Sequence, residues 1–216
     1  MREILKFSLI LFLSGILLGS TVNIVSPYNA TIIRIDGTVL KKDISKNIWI
    51  PASKGDILDD GDTLKTGEDA YAELKFSDGS IVKINASTEV SVYKDYLSLA
   101  IGYIKLYITK LFPNFEIRTP SGIAGVRGTE FSVEVLQDQT TLVTVYEGEV
   151  DVTAQGKTIR IRKGESAIVK PKSPPTLHKG DLKGQSKGQN NQGQEFQHGQ
   201  NKKDSNGEGP NRPSNR

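Results

Sequence analysis

The sequence predicts an all-β fold, and three observations carry this prediction. No window between residues 31 and 171 keeps the period of a helix. Short runs in which every second residue is apolar are separated by glycine-containing turns. Roughly a dozen such runs follow one another at spacings of about 8–12 residues, as in sandwiches, rolls and solenoids. We therefore expect a β-sandwich, a β-roll or a short β-solenoid.

The runs can be followed in order along the chain. The predicted strands are 31–35, 47–51, 54–58, 60–64, 70–76, 81–84, 89–92, 97–101, 103–108, 115–118, 131–135, 141–146, 149–152, 158–162 and 166–169. The alternation is cleanest in residues 70–76. Gly102 shifts the alternation between its two neighbouring runs, which predicts a bulge or bend at that position. A weak echo between Lys54-Gly55-Asp56 and Lys163-Gly164-Glu165 leaves a duplicated unit open.

Length and composition bound the class of protein. The 216 residues suffice for one domain of about 140 residues with appendages. The sequence has no cysteine, which excludes disulfides, cysteine-ligated zinc, thiol catalysis and a lipid-modified N-terminal cysteine. The net charge of +3 resides after residue 172, where seven lysines and arginines outnumber four acids. The rest of the chain is therefore near neutral.

Residues 1–22 are predicted to be a signal peptide or an uncleaved N-terminal anchor. A short basic start precedes an uncharged stretch at 7–18 that is mostly Leu, Ile and Phe. Its length fits a signal-peptide core better than a membrane span. Small residues for cleavage follow at 19–21, although Leu18 occupies a position where cleavage favours a small residue. Under either alternative the rest of the chain is exported to the periplasm or cell envelope.

Residues 172–216 are predicted to be a disordered, polar and weakly basic tail. Two prolines at 174–175 end the last predicted strand. The remainder is rich in Gln, Asn, Gly, Lys and Ser, and it cannot bury enough apolar surface to offset its chain entropy. Such a tail is an inert solvated tether, or it contacts anionic envelope polymers. The folded domain is thus expected at 31–171.

A glycine-rich stretch between two predicted strands carries a family resemblance. The motif consists, in chain order, of Thr119-Pro120, then Ala124-Gly125-Val126-Arg127-Gly128-Thr129-Glu130-Phe131, then Glu147-Gly148-Glu149-Val150. In this order it resembles the FecR domain, an extracytoplasmic domain named after an iron-dicitrate signalling regulator. The resemblance covers about residues 31–170, and it implies an elongated, twisted all-β domain with little helix.

Most of this motif is expected to be structural. Proline fixes φ and pushes the preceding threonine into an extended conformation, and glycines permit positive φ or close backbone approach. An arginine in such a turn usually satisfies carbonyls or pairs with an acid. Arg127 and Glu130 are nevertheless the candidates for contact with a partner. The residues assigned to the family signature are Thr119, Pro120, Gly125, Arg127, Gly128, Thr129, Glu130, Phe131 and Gly148.

No catalytic or metal-binding constellation stands out, so we expect a protein that is not an enzyme and that holds no cofactor or metal. Both histidines, His178 and His198, fall in the predicted tail, which removes a Ser-His-Asp or histidine-metal site from the folded part. The glycine spacing at 122–128 lacks the ending of a phosphate loop. A calcium site and a pair of hydrolytic carboxylates stay open as alternatives. Their members would be Asp56, Asp59, Asp60 and Asp62 for calcium, and two of Glu130, Glu134, Glu147 and Glu149 for hydrolysis.

The run 97–110 offers a further pair of alternatives. Tyr103 and Tyr107 share one face of the predicted strand, opposite Ile104 and Leu106. That face is either a partner surface or part of a strand buried on both sides.

The two ends of the chain depart from the FecR regulators that it resembles. Those regulators carry a cytoplasmic N-terminal domain that controls a sigma factor, then a transmembrane helix, the FecR domain and a region that meets an outer-membrane transporter. Here six residues precede the apolar stretch and the polar tail follows the domain. We therefore expect no direct control of a sigma factor.

The expected function is that of an exported, non-enzymatic binding module of the bacterial cell envelope. It would act by protein–protein interaction in envelope signalling or sensing, through exposed strand edges and turns. Its partner would be an envelope protein of unknown identity, and no nucleic acid. The alternative is a structural envelope protein whose basic tail contacts peptidoglycan or anionic lipid.

Overall fold

The described part of the chain is entirely β. A computed structural model describes residues 30–44, 47–109, 115–126 and 128–180. These residues contain seventeen strands and no helix, which confirms the predicted fold class with more strands than expected. They all lie in one compact unit, residues 1–182, whereas the second unit, residues 183–216, lies outside the described residues. The predicted N-terminal segment 1–22 and the tail beyond residue 180 lie outside them too.

The strands form two sheets that share one long strand. In spatial order, sheet A contains β4 (Ile57–Leu58), β1 (Ala30–Asp36), β6 (Tyr71–Phe76), β7 (Ile81–Ile84), the C-terminal half of β9 (Tyr96–Tyr107), β12 (Glu130–Val135), β13 (Thr141–Glu147), β16 (Glu165–Val169) and β17 (Thr176–Lys179). Sheet B contains β3 (Ile48–Pro51), β2 (Val39–Asp43), β5 (Thr63–Thr66), β8 (Glu89–Val92), the N-terminal half of β9, β10 (Phe115–Arg118), β11 (Ile123–Val126), β14 (Glu149–Ala154) and β15 (Lys157–Arg162). All of these neighbours are antiparallel except β9 and β10, which are parallel.

One apolar core lies between the two sheets. Alternate residues of nearly every strand point inward, and the core runs continuously from β1 to β16. Leu64 and Leu99 from sheet B and Ile104 and Phe131 from sheet A are completely buried. Burial of one such side chain stabilises the fold by about 1.5–3 kcal/mol. This core holds the domain together without a disulfide.

Strand β9 passes from one sheet to the other at Gly102. Residues 97–101 pair with β8 in sheet B, and residues 102–107 pair with β12 in sheet A. Gly102 has φ +98°, in a region that L side chains rarely adopt. A Cβ there would lie 2.5 Å from Cα of Thr88. The bend predicted at this glycine is therefore present, and it serves to connect the two sheets.

Three strands were not expected from the sequence. β2 has no clean alternation, because Lys41 lies on its inward side, opposite the buried Leu64. Its ammonium group is held there by an ion pair with Asp56, with 2.9 Å between Nζ and Oδ2. β11 lies inside the glycine-rich motif, where the sequence predicts a turn.

The third unexpected strand corrects the start of the tail. β17 follows the prolines at 174–175 and pairs with β16, with Leu177 opposite Ala167. β16 ends at Val169, and a turn in which Ser173 N–H donates to the carbonyl of Lys170 precedes the prolines, after which the chain adds one more strand. His178 therefore belongs to the folded unit. The prediction that both histidines lie in the tail is wrong for this residue.

The echo between the tripeptides 54–56 and 163–165 has a structural counterpart. Gly55 and Gly164 both have positive φ, of +93° and +80°. Each donates its N–H to the carbonyl of a residue in a sheet A strand, Ile32 and Val145 respectively. In both turns the following acid accepts the N–H of the residue three positions before it. The two tripeptides therefore form equivalent turns at the ends of strands.

Candidate functional site

The two parts of the sequence motif come together in space. Within sheet B, Gly125 on β11 lies opposite Asp151 on β14. Gly148 has φ +86°, and a Cβ added to it would lie 2.7 Å from Cγ2 of Thr129. Glycine is therefore required where the turn after β13 crosses the start of β12. The close approach of residues far apart in sequence gives the motif a structural role.

The remaining motif residues shape a tight turn and its exit. Thr119 N–H donates to the carbonyl of Gly122 (2.9 Å), and Gly122 N–H donates to Oγ1 of Thr119 (3.1 Å). Pro120 lies within this turn. Gly128 has φ +63° and precedes Thr129, whose buried Oγ1 has no partner among the described residues. Arg127, a candidate for partner contact, lies outside the described residues.

The outer face of sheet A carries a concentration of tyrosines. Its members come from β6, β7, β9, β12 and β13, where they alternate along each strand with buried core residues. We call this surface the tyrosine face, defined by Tyr71, Lys83, Tyr103, Lys105, Tyr107, Glu130, Glu134 and Tyr146. All eight side chains are half-buried. The partner-surface alternative for Tyr103 and Tyr107 thus has the geometry it requires, because both side chains point away from the core.

Lys105 lies at the centre of the tyrosine face. Its Nζ is 2.8 Å from Oε1 of Glu130, and it lies 5.2 Å from the ring centre of Tyr107 and 4.5 Å from that of Tyr146. Burial lowers the pKa of Lys105, but hydrogen bonds to Glu130 and Tyr107 outweigh burial and raise it above the ordinary value of 10.5. The ammonium group is therefore fixed and charged at neutral pH. Glu130, the second candidate for partner contact, is held by this ion pair.

Glu134 differs from the other charged groups of the tyrosine face. It lies on β12 between Tyr103 of β9 and Leu142 of β13. Its carboxylate has no hydrogen bond or ion pair with any other described residue. Burial alone raises the pKa of Glu134 above its ordinary value of 4.5. A half-buried carboxylate without a partner costs stability, which makes Glu134 a candidate for contact with another molecule.

Replacing this carboxylate is expected to stabilise the protein. At pH 7 the substitution Glu134→Gln should raise the free energy of unfolding by up to about 1 kcal/mol, because it removes a desolvated charge while keeping the shape. Because the folded pKa is raised, protonation favours the folded state, so the difference is full above that pKa. It should vanish as the pH falls below 4.5. Urea unfolding at pH 7 and pH 4 measures this, and an equal gain at both pH values would contradict the assignment.

The opposite outer face, on sheet B, has its charges paired. Arg160 donates to both carboxylate oxygens of Asp151, at 2.7 and 2.8 Å. It also lies 3.4 Å from Glu149. This arginine holds the pKa of Asp151 below its ordinary value. Glu149, a candidate for hydrolysis, therefore pairs with Arg160 and Arg162 on sheet B. Glu134 lies on β12 of sheet A.

Three of the four acidic residues considered for calcium, Asp56, Asp60 and Asp62, instead accept backbone N–H groups. Asp62 accepts Ile44 N–H at Oδ1 (3.1 Å) and Asp59 N–H at Oδ2 (3.0 Å). Asp60 accepts Lys94 N–H (2.7 Å), and Asp56 is engaged by Lys41. No group of acids or histidines with metal-binding geometry occurs in the described ranges.

The role of Asp62 can be measured. Asp62→Ala leaves two backbone N–H groups without their acceptor, which is expected to cost about 2–3 kcal/mol of stability. The neighbouring Asp59→Ala, which removes an exposed carboxylate, should change it by less than about 0.5 kcal/mol. Urea unfolding separates the two effects. Calcium should leave the melting temperature of the wild type unchanged, and a rise would restore the calcium alternative.

The comparison with protein families agrees with the motif. A family model described as "FecR protein" matches residues 62–151. These residues form a FecR domain. The match begins at Asp62 and ends at Asp151, so it contains both parts of the motif. FecR proteins are regulators associated with the cell envelope rather than enzymes.

The comparison with solved structures returns a protein of limited similarity. Two crystal structures of a proposed anti-sigma factor from Parabacteroides distasonis, at 1.65 and 2.50 Å resolution, align with the chain at 21% identity and a TM-score of 0.49. The alignment covers 55% of this chain and 60% of that protein, so the chain spans about three fifths of its length. No curated protein matches the chain.

The physical unit is larger than the matched FecR segment. Strands β1, β15 and β16 lie outside residues 62–151, yet each pairs with a strand inside it. The described residues contain no helix long and apolar enough to span a membrane. Sequence reasoning missed Tyr71, Lys83 and Tyr146 as members of one surface, because cross-strand neighbours come from distant segments. Alternation along residues 70–76 is enough to place Tyr71 opposite the buried Ala72 and Leu74 side, but alternation cannot bring Tyr146 beside Lys105.

Proposed function

We propose that this FecR-domain protein is an exported, non-enzymatic module of the bacterial envelope that binds another protein in signalling or sensing. The tyrosine face is the contact surface in this proposal. The observation that carries it is Glu134, a carboxylate kept without a partner beside Tyr103. A basic side chain of the partner would supply the missing counter-charge and find an aromatic ring next to it.

The composition of the face supports this proposal. Protein interfaces are enriched in tyrosine, which offers a large rigid contact area with a polar end. The Lys105–Glu130 ion pair holds the rings of Tyr107 and Tyr146 around one fixed centre. A surface that is already ordered loses little side-chain entropy when it binds.

Strand edges are a second route by which such a module could engage a partner. β17 is the last strand of sheet A, and Gly180 N–H donates to the carbonyl of Gly164. Because backbone groups alternate between the two sides of a strand, the N–H and C=O of Leu177 point away from β16. These outward groups can accept an added strand. The charged edge β15 is less suited, because Arg162 N–H is already occupied by Glu165.

The proposal is tested by crosslinking the full chain in intact envelopes and identifying the captured protein. A tail-deleted form should end at Gly180, because ending it earlier would remove β17. We expect one defined membrane protein to be captured by both forms. Glu134→Gln and Tyr107→Ala should reduce capture several-fold. The matched control is Tyr93→Ala, a half-buried tyrosine outside the tyrosine face.

Two results would overturn this proposal. Capture that survives both face variants would mean that the tyrosine face is not the contact. Capture that is diffuse, falls with added salt and is lost with the tail would favour a structural envelope protein instead. Glu134→Gln is informative in either case, because it should fold at least as stably as the wild type.

A further inference from the structure

The hairpin of β2 and β3 exposes three large apolar side chains close together. Ile44, Ile48 and Trp49 are 58%, 50% and 39% exposed. We call them the hairpin patch. They are half of the six exposed large apolar side chains among the residues the structure describes. Single exposed apolar residues are ordinary, but three in one hairpin, with Ile48 and Trp49 on opposite faces of β3, concentrate apolar surface at this end of the domain.

Strand β3 is apolar on both of its faces. Trp49 lies opposite Lys42 and shares the outer face of sheet B, whereas Ile48 and Ile50 point to the other side. An edge strand that meets water or a protein on one side normally carries polar residues on the exposed face. A strand that is apolar on both faces is better suited to an apolar environment that contacts both faces.

The backbone of β3 is poorly suited to an added strand. Ala52 N–H donates to the carbonyl of Val39, and peptide groups alternate between the two sides of a strand. Trp49 and Pro51 therefore direct their backbone groups away from β2. Proline has no N–H to donate, so a strand added here would lose a hydrogen bond. An occupant that uses no backbone bonds is favoured.

The surroundings of Trp49 suit a boundary between apolar and aqueous phases. The ammonium groups of Lys42 and Lys65 each lie 5.9 Å from the centre of the indole ring. Tryptophan prefers the membrane–water interface, and lysines beside it can extend their charged ends to the headgroups. The exposed carboxylates of Asp59 and Asp60 lie close to this end of the domain, so the attraction must be mainly apolar.

The hairpin patch also lies where the N-terminal segment joins the domain. Ala30, the first described residue, pairs with Leu58 on β4. The turn that follows β4 receives Ile44, because Ile44 N–H donates to Asp62. The sequence places an apolar stretch at 7–18, and the 11 residues at 19–29 span at most about 40 Å. An apolar segment in a bilayer would therefore hold this end of the domain near the surface.

From these observations we propose that the hairpin patch docks into the interfacial region of a phospholipid bilayer, with Trp49 as its anchor. This surface belongs to sheet B and is separate from the tyrosine face. The proposal therefore goes beyond partner binding, and each can fail while the other holds. Because the contact is apolar, it should be insensitive to salt, unlike contact through the basic tail.

The single tryptophan of the chain makes the proposal directly measurable. The full chain is reconstituted into phosphatidylethanolamine–phosphatidylglycerol vesicles, and Trp49 fluorescence reports the hairpin regardless of what anchors the rest. The emission should shift to the blue, and quenching by acrylamide should fall about twofold or more as the ring leaves water. Lipids brominated on their acyl chains should quench Trp49, at low and at high salt alike.

Variants separate the hairpin from other apolar sites. The double substitution Ile44→Ser and Ile48→Ser should abolish quenching by brominated lipid. The matched control, Ile123→Ser with Leu177→Ser, removes exposed apolar residues elsewhere and should leave quenching unchanged. A Trp49 that stays accessible to acrylamide and untouched by brominated lipid would overturn the proposal. So would shielding that appears only with added envelope proteins, or that rises with protein concentration without vesicles.

Discussion

Gly102→Ala should remove about 3–5 kcal/mol of the free energy of unfolding, a large part of the 5–15 kcal/mol typical of a domain. Two causes add. The residue has φ +98°, which an alanine adopts only with strain. The added Cβ would also lie 2.3 Å from Oγ1 and 2.5 Å from Cα of the buried Thr88. That hydroxyl accepts Tyr103 N–H, so relieving the clash would break the connection where β9 changes sheets.

A second glycine isolates the steric part of this effect. Gly55 has nearly the same backbone conformation, φ +93°, but nothing lies within 4 Å of an added Cβ. Gly55→Ala should therefore cost only the strain of about 1–2 kcal/mol. Urea denaturation of the two variants gives the difference. Equal losses would mean that the bend at Gly102 relaxes without displacing Thr88.

Phe131→Ala should cost about 3–5 kcal/mol, because it opens a cavity in the middle of the core. Phe131 is completely buried and lies on β12 between Leu106 of β9 and Val145 of β13. Three strands of sheet A therefore lose contacts at once. Thermal and urea unfolding measure the loss.

The conservative variant provides the control for this residue. Phe131→Leu keeps most of the apolar volume and should cost about half as much. If both variants fold with wild-type stability, the motif residue does not belong to the core. If Phe131→Ala lowers the free energy of unfolding about twice as much as Phe131→Leu, packing explains why Phe131 stands in the motif.

The sequence predicts the features of this fold that depend on local patterns, and it misses those that depend on contacts between distant residues. Gly102 interrupts an alternation, and that local signal was enough to predict the bend. Lys41 points inward, and only its ion pair with Asp56, from a different turn, makes this tolerable. The pair is invisible in sequence, so β2 was missed.

The candidate site was less predictable for the same reason. Tyr103 and Tyr107 could be placed on one face from the period of a single strand. Glu134 was considered only as a hydrolytic carboxylate, because its lack of a partner depends on what the neighbouring strands place beside it. The register of β12 against β9 decides that, and register between distant segments is set by the whole core.

The position of β17 has a mechanical consequence. It is the outermost strand of sheet A, and among the described strands it pairs with β16 alone. The chain continues from it at Gly180 towards the C-terminus. A force applied at that end would act first on the pair of Lys179 and Glu165. The hydrogen-bonded pairs would then open one after another from Lys179 to Thr176. Peeling of this kind needs far less force than shearing a whole ladder at once. A tethered C-terminus would thus uncover the edge of β16 under tension, while β9 keeps the two sheets together.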